Sequence, residues 1–303
     1  MHQFNLTLEQ SLGRNRTFTT SYVGAVGRHL LRRETISQPR VFQVFDTIQI
    51  TRSAANSDYH GLQLQFVERL RRGLQVLLSY TWAHSIDSAS DNVSLVLPTT
   101  AFDPRQNRAS SDYDLRQVFS GAVTYDLPLA RHILARNWGV DSVFRLQSAL
   151  PVDVFNRTAT LLGNYDLRPN LVSGAPLYLA GDQYPGGRIV NRAAFAIPAA
   201  QQTHGLLGRN VLRAFPLRQV DFTLRRQFNF GERANLQFRA ELFNVFNHPS
   251  FGAPDSNLAN RLFGISTQMF GRGLGQGGVN GGLNPLYAIG APRSVQLALK
   301  LRW

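Results

Sequence analysis

Apolar and polar residues alternate one for one along several stretches of the chain, as in a strand that buries one face only. In Leu74-Gln75-Val76-Leu77-Leu78-Ser79-Tyr80-Thr81-Trp82 every even position is apolar or aromatic, and every odd one is polar except Leu77. The pattern recurs at 61–66, 220–228, 235–242 and 295–303, and more weakly at 4–12, 16–25, 117–127 and 138–150. Together these predict about nine strands of roughly 9–13 residues, long enough to cross a bilayer when tilted.

The links between strands alternate too. Short ones (Gly13-Arg14-Asn15, Arg71-Arg72-Gly73, 128–137 and Gly231-Glu232-Arg233) join strands in pairs. Long Gly-, Pro- and Asn-rich stretches at 27–58, 84–115, 151–217 and 248–290 separate the pairs. With the C-terminus on the periplasmic side, every short link falls there and every long link outside, which is how bacterial outer-membrane barrels are built. The expected fold class is therefore an all-β, antiparallel, up-and-down transmembrane β-barrel segment with long external loops, one unit over 1–303 without a separate soluble domain.

The two faces of the predicted strands differ in chemistry. Gln63, Gln65, Gln75, Ser79, Thr223, Arg225, Gln237, Arg239 and Glu241 share the polar parity. A small soluble barrel fills its interior with apolar side chains, whereas a wide membrane barrel has a wet one. Gln63, Gln65, Gln75, Arg225, Gln237, Arg239 and Glu241 are thus the candidate lumen-facing residues. Aromatic residues near strand ends (Tyr80, Trp82, Tyr125, Phe228, Phe230, Trp303) fit interfacial girdles. Arg226 has the parity of Val220, Phe222 and Leu224; near the inner end it can snorkel to the interface.

Composition narrows the class. The chain of 303 residues is 43% hydrophobic and 17% charged, with 20 Phe, which is too apolar for disorder. No apolar run reaches the roughly 18–20 residues of a transmembrane helix. Cysteine is absent, removing disulfides and thiolate metal sites together. The first residues lack the basic stretch and apolar core of a signal peptide, so either the chain is cytosolic, or its true start has been removed or lies upstream in a longer gene product.

Net charge is +13, mostly from arginine. Arg71 and Arg72 fall in a turn, Arg225 and Arg239 on strands, and Arg40, Arg209 and Arg213 in loops. No recognition helix or RNA-binding strand gathers them, so no nucleic-acid partner is expected. Lipopolysaccharide phosphates or an anionic ligand in a cationic lumen would each account for the charge.

Other motifs carry little chemistry. Gly273-Leu274-Gly275-Gln276-Gly277-Gly278 matches the dinucleotide fingerprint but follows no buried strand and opens no helix. His84-Ser85-Ile86-Asp87 contains triad residue types, yet neighbours on a strand point to opposite faces and cannot form the relay. Asp87, Asp91 and Asn92 could offer oxygens to Ca²⁺ but lack a recognised loop spacing. No enzyme activity, cofactor or metal is expected.

Several segments resemble the C-terminal region of TonB-dependent outer-membrane receptors, in particular their Oar-like branch. They are Tyr59-His60-Gly61-Leu62-Gln63-Leu64, Asp112-Tyr113-Asp114-Leu115-Arg116, Asn191-Arg192-Ala193-Ala194-Phe195, Gly205-Leu206-Leu207-Gly208-Arg209-Asn210 and Phe238-Arg239-Ala240-Glu241-Leu242-Phe243-Asn244-Val245-Phe246-Asn247-His248-Pro249. The last strand adds an apolar row, Val295, Leu297, Leu299, Leu301 and Trp303, ending on an aromatic residue. That row resembles the signal read by the barrel-assembly machinery, which can capture an exposed strand edge by β-augmentation.

The resemblance implies a 22-stranded barrel with an N-terminal plug and a TonB-binding segment. No plug-like region is read here, so the chain is expected to be the C-terminal part of such a receptor, inactive alone and reaching the TonB complex only through a missing N-terminal region. It implies location in the outer membrane of a Gram-negative bacterium, contact with membrane lipid and lipopolysaccharide, and uptake of a ferric siderophore, cobalamin, glycan or peptide. The ligand is not named by any spacing. The alternatives are a non-transporting outer-membrane adhesin and a soluble polysaccharide-binding β-sandwich.

Overall fold

A computed structural model describes residues 1–36, 48–90, 107–128, 136–160, 163–198, 205–230, 234–273 and 289–303. Nine strands form one antiparallel sheet in chain order: β1 (His2–Ser11), β2 (Arg16–Ile36), β3 (Ile48–Arg71), β4 (Leu74–Asp87), β5 (Gln117–Asp126), β6 (Trp138–Gln147), β7 (Leu217–Phe230), β8 (Ala234–Phe243) and β9 (Ser294–Arg302). Each strand pairs with the next in sequence, the up-and-down arrangement expected.

Register turns the alternation into continuous apolar rows. Phe18, Phe66, Leu78, Gly121, Phe144 and Val220 lie side by side across six strands. One pleat pair below run Val76, Val123, Ser142, Phe222, Leu242 and Val295. Among the described residues nothing covers this face: Leu6, Leu297 and Leu299 are 75%, 69% and 70% exposed. Burying so much apolar surface takes a nonaqueous surrounding, at about 25 cal/mol per Å².

The tightest inner turn joins β3 to β4. Arg72 and Gly73 have φ of 50° and 83°, as a two-residue hairpin of the primed type requires. A Cβ on Gly73 would stand 2.6 Å from the Asp126 carbonyl oxygen, which explains the glycine sterically as well. Residues 129–135 and 231–233, in two other expected short links, lie outside the described residues.

Two expectations about the outer side need correction. The stretch 27–58 is not a long loop: β2 and β3 continue to Ile36 and from Ile48 as a paired ribbon. Their lengths of 21 and 24 residues exceed the expected strands. A register shift at Gly27/Leu30, with His29 at φ 56°, accompanies the passage beyond the apolar rows. A bulge of this kind re-aims side chains, so Arg32 is buried while Leu31 is exposed.

The stretches 151–217 and 248–290 are likewise more than loops. The first holds short antiparallel pairs, Asn156–Thr160 with Gly163–Leu167, Tyr178–Ala180 with Arg188–Val190, Asn170–Leu171 with Phe195–Ala196, and Pro151–Val152 with Leu212–Arg213, and the second adds Leu258 and Phe263 to the packing around them. Val152, Val154, Val190, Ala194, Phe195, Leu207, Leu212, Leu258 and Phe263 pack there as a hydrophobic core. The core of this chain therefore sits in a cap at the outer end, while the sheet is a wall between two environments.

Candidate functional site

The polar face of the wall is as continuous as the apolar one. Thr19, Gln65, Ser79, Ser120, Arg145 and Gln219 lie in one row across six strands. Gln75, Thr124, Asp141, Thr223, Glu241 and Gln296 form a second. Gln63 stands between Ser21 and Thr81, Arg225 between Gly139 and Arg239, and Gln237 between Gln227 and Lys300. All seven residues singled out for this face thus share it.

The charges on this face are matched. Arg145 donates to Asp221 at 2.8 Å, and the Gln219 amide donates to the same carboxylate at 2.8 Å. Arg225 reaches Asp126 and, at 3.2 Å, Asp141, while Arg239 meets Glu241 at 2.9 Å on its own strand. Such pairing keeps the surface hydrophilic with little net potential. The described part of the wall is accordingly not a cationic channel lining, and the chain's excess charge lies elsewhere.

Arg226, on the apolar face, has its guanidinium 4.5 Å from the Phe228 ring centroid and 5.2 Å from that of Trp138. Both distances fall within cation–π range. Aromatic neighbours, beyond the snorkelling expected, accommodate the charge at the inner girdle.

The outer cap is fastened to the wall by a buried polar cluster. Arg209, with 4% of its side chain exposed, pairs with Asp87, 1% exposed, at the outer end of β4. It also donates to Ser90 at 3.2 Å and to the exposed Asp112 at 3.4 Å. Asn210 donates through its amide side chain to the Ser110 carbonyl at 2.8 Å and to Asp112 at 2.6 Å. Arg213 donates to Asp114 at 2.9 Å, and that carboxylate also accepts from the Ser85 N–H at 2.9 Å and lies 3.1 Å from His84.

Burial alone would raise the Asp114 carboxyl, but the bonds from Ser85, His84 and Arg213 outweigh it and hold the group below the usual aspartate range. Asp153 shows the opposite balance. Burial pushes it up, against the opposing pull of Arg168, the Asn210 N–H and Arg209. Arg168 is itself held below its usual value, chiefly by burial.

These partners dispose of the triad-like run. His84 turns to Asp114, Ser85 to Ser111 at 2.8 Å and Asp87 to Arg209, so no relay links them. Asp91 and Asn92, and 274–278 of the glycine-rich run, lie outside the described residues, as does Arg40.

Several segments quoted above for their resemblance have structural work. Asp112 accepts from Arg209 and Asn210, and Asp114 from Arg213, where the cap is fastened to the wall. Asn191 caps a short turn by accepting from the Ala193 N–H at 3.1 Å, which sets Ala194 and Phe195 into the cap core. Arg192 donates to the Leu258 and Asn260 carbonyls. Asn244 and Asn247, at φ 49° and 50°, end β8; Asn244 ties the turn to Asp221 at 2.9 Å and to the Ala291 carbonyl at 2.7 Å.

The family described as "Outer membrane beta barrel domain" matches residues 1–276. The chain belongs to that family. The barrel is thus an outer-membrane structure. Among solved structures, the outer membrane transporter YddB from Escherichia coli aligns with 99% of this chain, with a TM-score of 0.53 and 11% identity. The alignment covers 32% of that protein, so this chain spans about a third of its length, and the likeness is one of fold. No curated protein sequence matches the barrel.

The terminal residues Val295, Leu297, Leu299 and Leu301 line the uncovered apolar side of β9, the last strand of the sheet, and Trp303 follows it, 92% exposed. Sequence reasoning missed the cap clasp. A signal for it existed in Asp112, Asp114, Arg209 and Asn210, but their pairing spans about a hundred residues and leaves no local spacing.

Proposed function

We propose that this chain is wall and outer cap of a TonB-dependent receptor of the Oar-like branch, which takes up a ligand such as a ferric siderophore, glycan or peptide. The observation that carries the reading is the union of two features: a polar, charge-matched face running the height of the wall, and a folded cap fastened over its outer end. A wall with that face encloses a wet lumen, and the cap is the surface a ligand meets first. Gln63, Gln65, Gln75, Arg225, Gln237, Arg239 and Glu241 then line the lumen. The terminal apolar row presents β9 to the barrel-assembly machinery, and lipopolysaccharide surrounds the outer rim. TonB acts through a region outside these residues, and the chain alone transports nothing.

The test is uptake by cells carrying the full gene product, with ferric siderophores, oligosaccharides and peptides offered in turn. Uptake of one class is expected to require both the gene and a functional TonB complex. Gene-dependent uptake that persists without TonB would refute the receptor assignment.

A further inference from the structure

Most arginines of the outer half are consumed by the fold. Arg28 and Arg108 both bind Asp58, Arg157 binds Asp166, and Arg188, Arg192, Arg209 and Arg213 hold the cap together. Arg218 and Arg293 are different. Both are exposed, and among the described residues neither guanidinium has a hydrogen bond or an ion pair; only their backbone N–H groups are engaged, with Ser250 and Asn247.

Their position is informative. Arg218 pairs with Leu146, so it continues the lipid-facing row of Tyr80, Phe119 and Leu146. Arg293 stands one residue before the start of β9, at its outer end, with its backbone N–H held by Asn247. The lipid face of β7, β8 and β9 bears no carboxylate. Between Arg293 and Trp303 the chain climbs about 25 Å at about 3.3 Å per residue and about 40° tilt, and between Phe230 and Arg218 about 30 Å. The apolar band of an outer-membrane barrel is about 25 Å tall. Both guanidiniums therefore stand at the headgroup level of the outer leaflet. Phe222 and Val295 face each other across Leu242, so Arg218 lies about two residues further out than Arg293 and the two positions are about 12 Å apart, comparable with the length of a disaccharide. Phe246, 76% exposed, lies at the same end of β8.

We infer that Arg218 and Arg293 form a seat for a phosphorylated glycolipid of the outer leaflet, its acyl chains lying along the β7–β9 apolar rows and its disaccharide phosphates accepting from the two guanidiniums. Arginine suits the role because its fixed fork of donors matches phosphate oxygens. The inference rests on the barrel's place in the outer membrane and not on uptake: a barrel that transported nothing would still bind the lipid.

The full gene product, purified in detergent, is titrated with diphosphoryl lipid A and followed by native mass spectrometry. A basic residue near an anionic lipid surface strengthens binding about fivefold. The double variant R218A/R293A is then expected to bind about 25-fold more weakly. R218K/R293K recovers most of the loss, and R302A, at the inner end, binds as the parent does. Heat-modifiable migration on gels checks that each variant is a folded barrel. Dephosphorylated lipid A is expected to bind the parent as weakly as diphosphoryl lipid A binds the double variant. Equal affinity of parent and double variant, or indifference to the phosphates, overturns the inference.

Discussion

Removing Arg209 should detach the cap from the wall without unfolding the wall. The guanidinium and its partner Asp87 are both buried, with 4% and 1% of their side chains exposed. Arg209→Ala leaves the Asp87 carboxylate buried with Ser90 as its one remaining side-chain partner among the described residues, a change that costs about 3–5 kcal/mol. The second partner, Asp112, is 60% exposed, so removing its charge should cost about 0–1 kcal/mol. If the cap opens as a local unit, R209A raises its open population by a factor on the order of 10²–10⁴. The reporters are the amide of Leu207, which donates to the Pro169 carbonyl, that of Asn210, which donates to Asp153, and that of Ala214, which donates to the Leu150 carbonyl. Hydrogen exchange of peptides across 205–215 in the detergent-solubilised barrel should quicken by that factor in R209A and hardly at all in D112A. The double variant D87L/R209M, which removes both charges and keeps the bulk, should recover most of the protection. Unchanged exchange in R209A, or equal damage from D112A, would show that the pair does not hold the cap.

Deleting 295–303 should abolish assembly into the membrane, and a normal heat-modifiable barrel after that deletion would remove the terminal row's assigned role. Leu299→Arg, near mid-height of β9 on the lipid face, should cost about 2–4 kcal/mol in urea unfolding from vesicles, while Gln237→Arg on the opposite face should be close to neutral. With no native cysteine, single cysteines at Gln65, Gln75 and Gln237 should react with a hydrophilic maleimide in membranes, and those at Leu297 and Leu299 should not. Asp114 is held below its ordinary range when folded, so its contribution is full above that range and lost as pH falls through the lowered value. Asp114→Asn should therefore speed proteolysis of the cap at pH 7 and make no difference in acid below both values.

The wall could be read in advance because lipid imposes a period of two on every residue it touches. Leu74 to Trp82 and Val295 to Trp303 obey that period, and the short inner links mark its breaks. Beyond the membrane the constraint disappears. Residues 28–36 and 48–58 pair as strands while carrying Arg, His, Ser, Asn and Asp on both faces, so the pattern that signals a strand in lipid is absent there. The cap was opaque for another reason. Its strands are two to five residues long, too short to display a period, and its order comes from a core assembled between distant segments, such as Val152 with Leu212. Arg226 lies between these cases: its parity marked it as anomalous, but only the positions of Trp138 and Phe228 show how the charge is accommodated.

The sheet's odd number of strands also sets a condition on its closure. β1 runs from the cap side toward the inner turn, and so does β9, because eight reversals lie between them. Brought together directly, these two edges would meet as a parallel seam, with evenly spaced, slanted hydrogen bonds. An antiparallel seam instead requires an odd number of intervening strands, wherever they come from. Two copies of the sheet joined head to tail fail this condition, since each junction is again parallel. Handedness of direction at two edges thus limits which assemblies can seal the cylinder by antiparallel pairing alone.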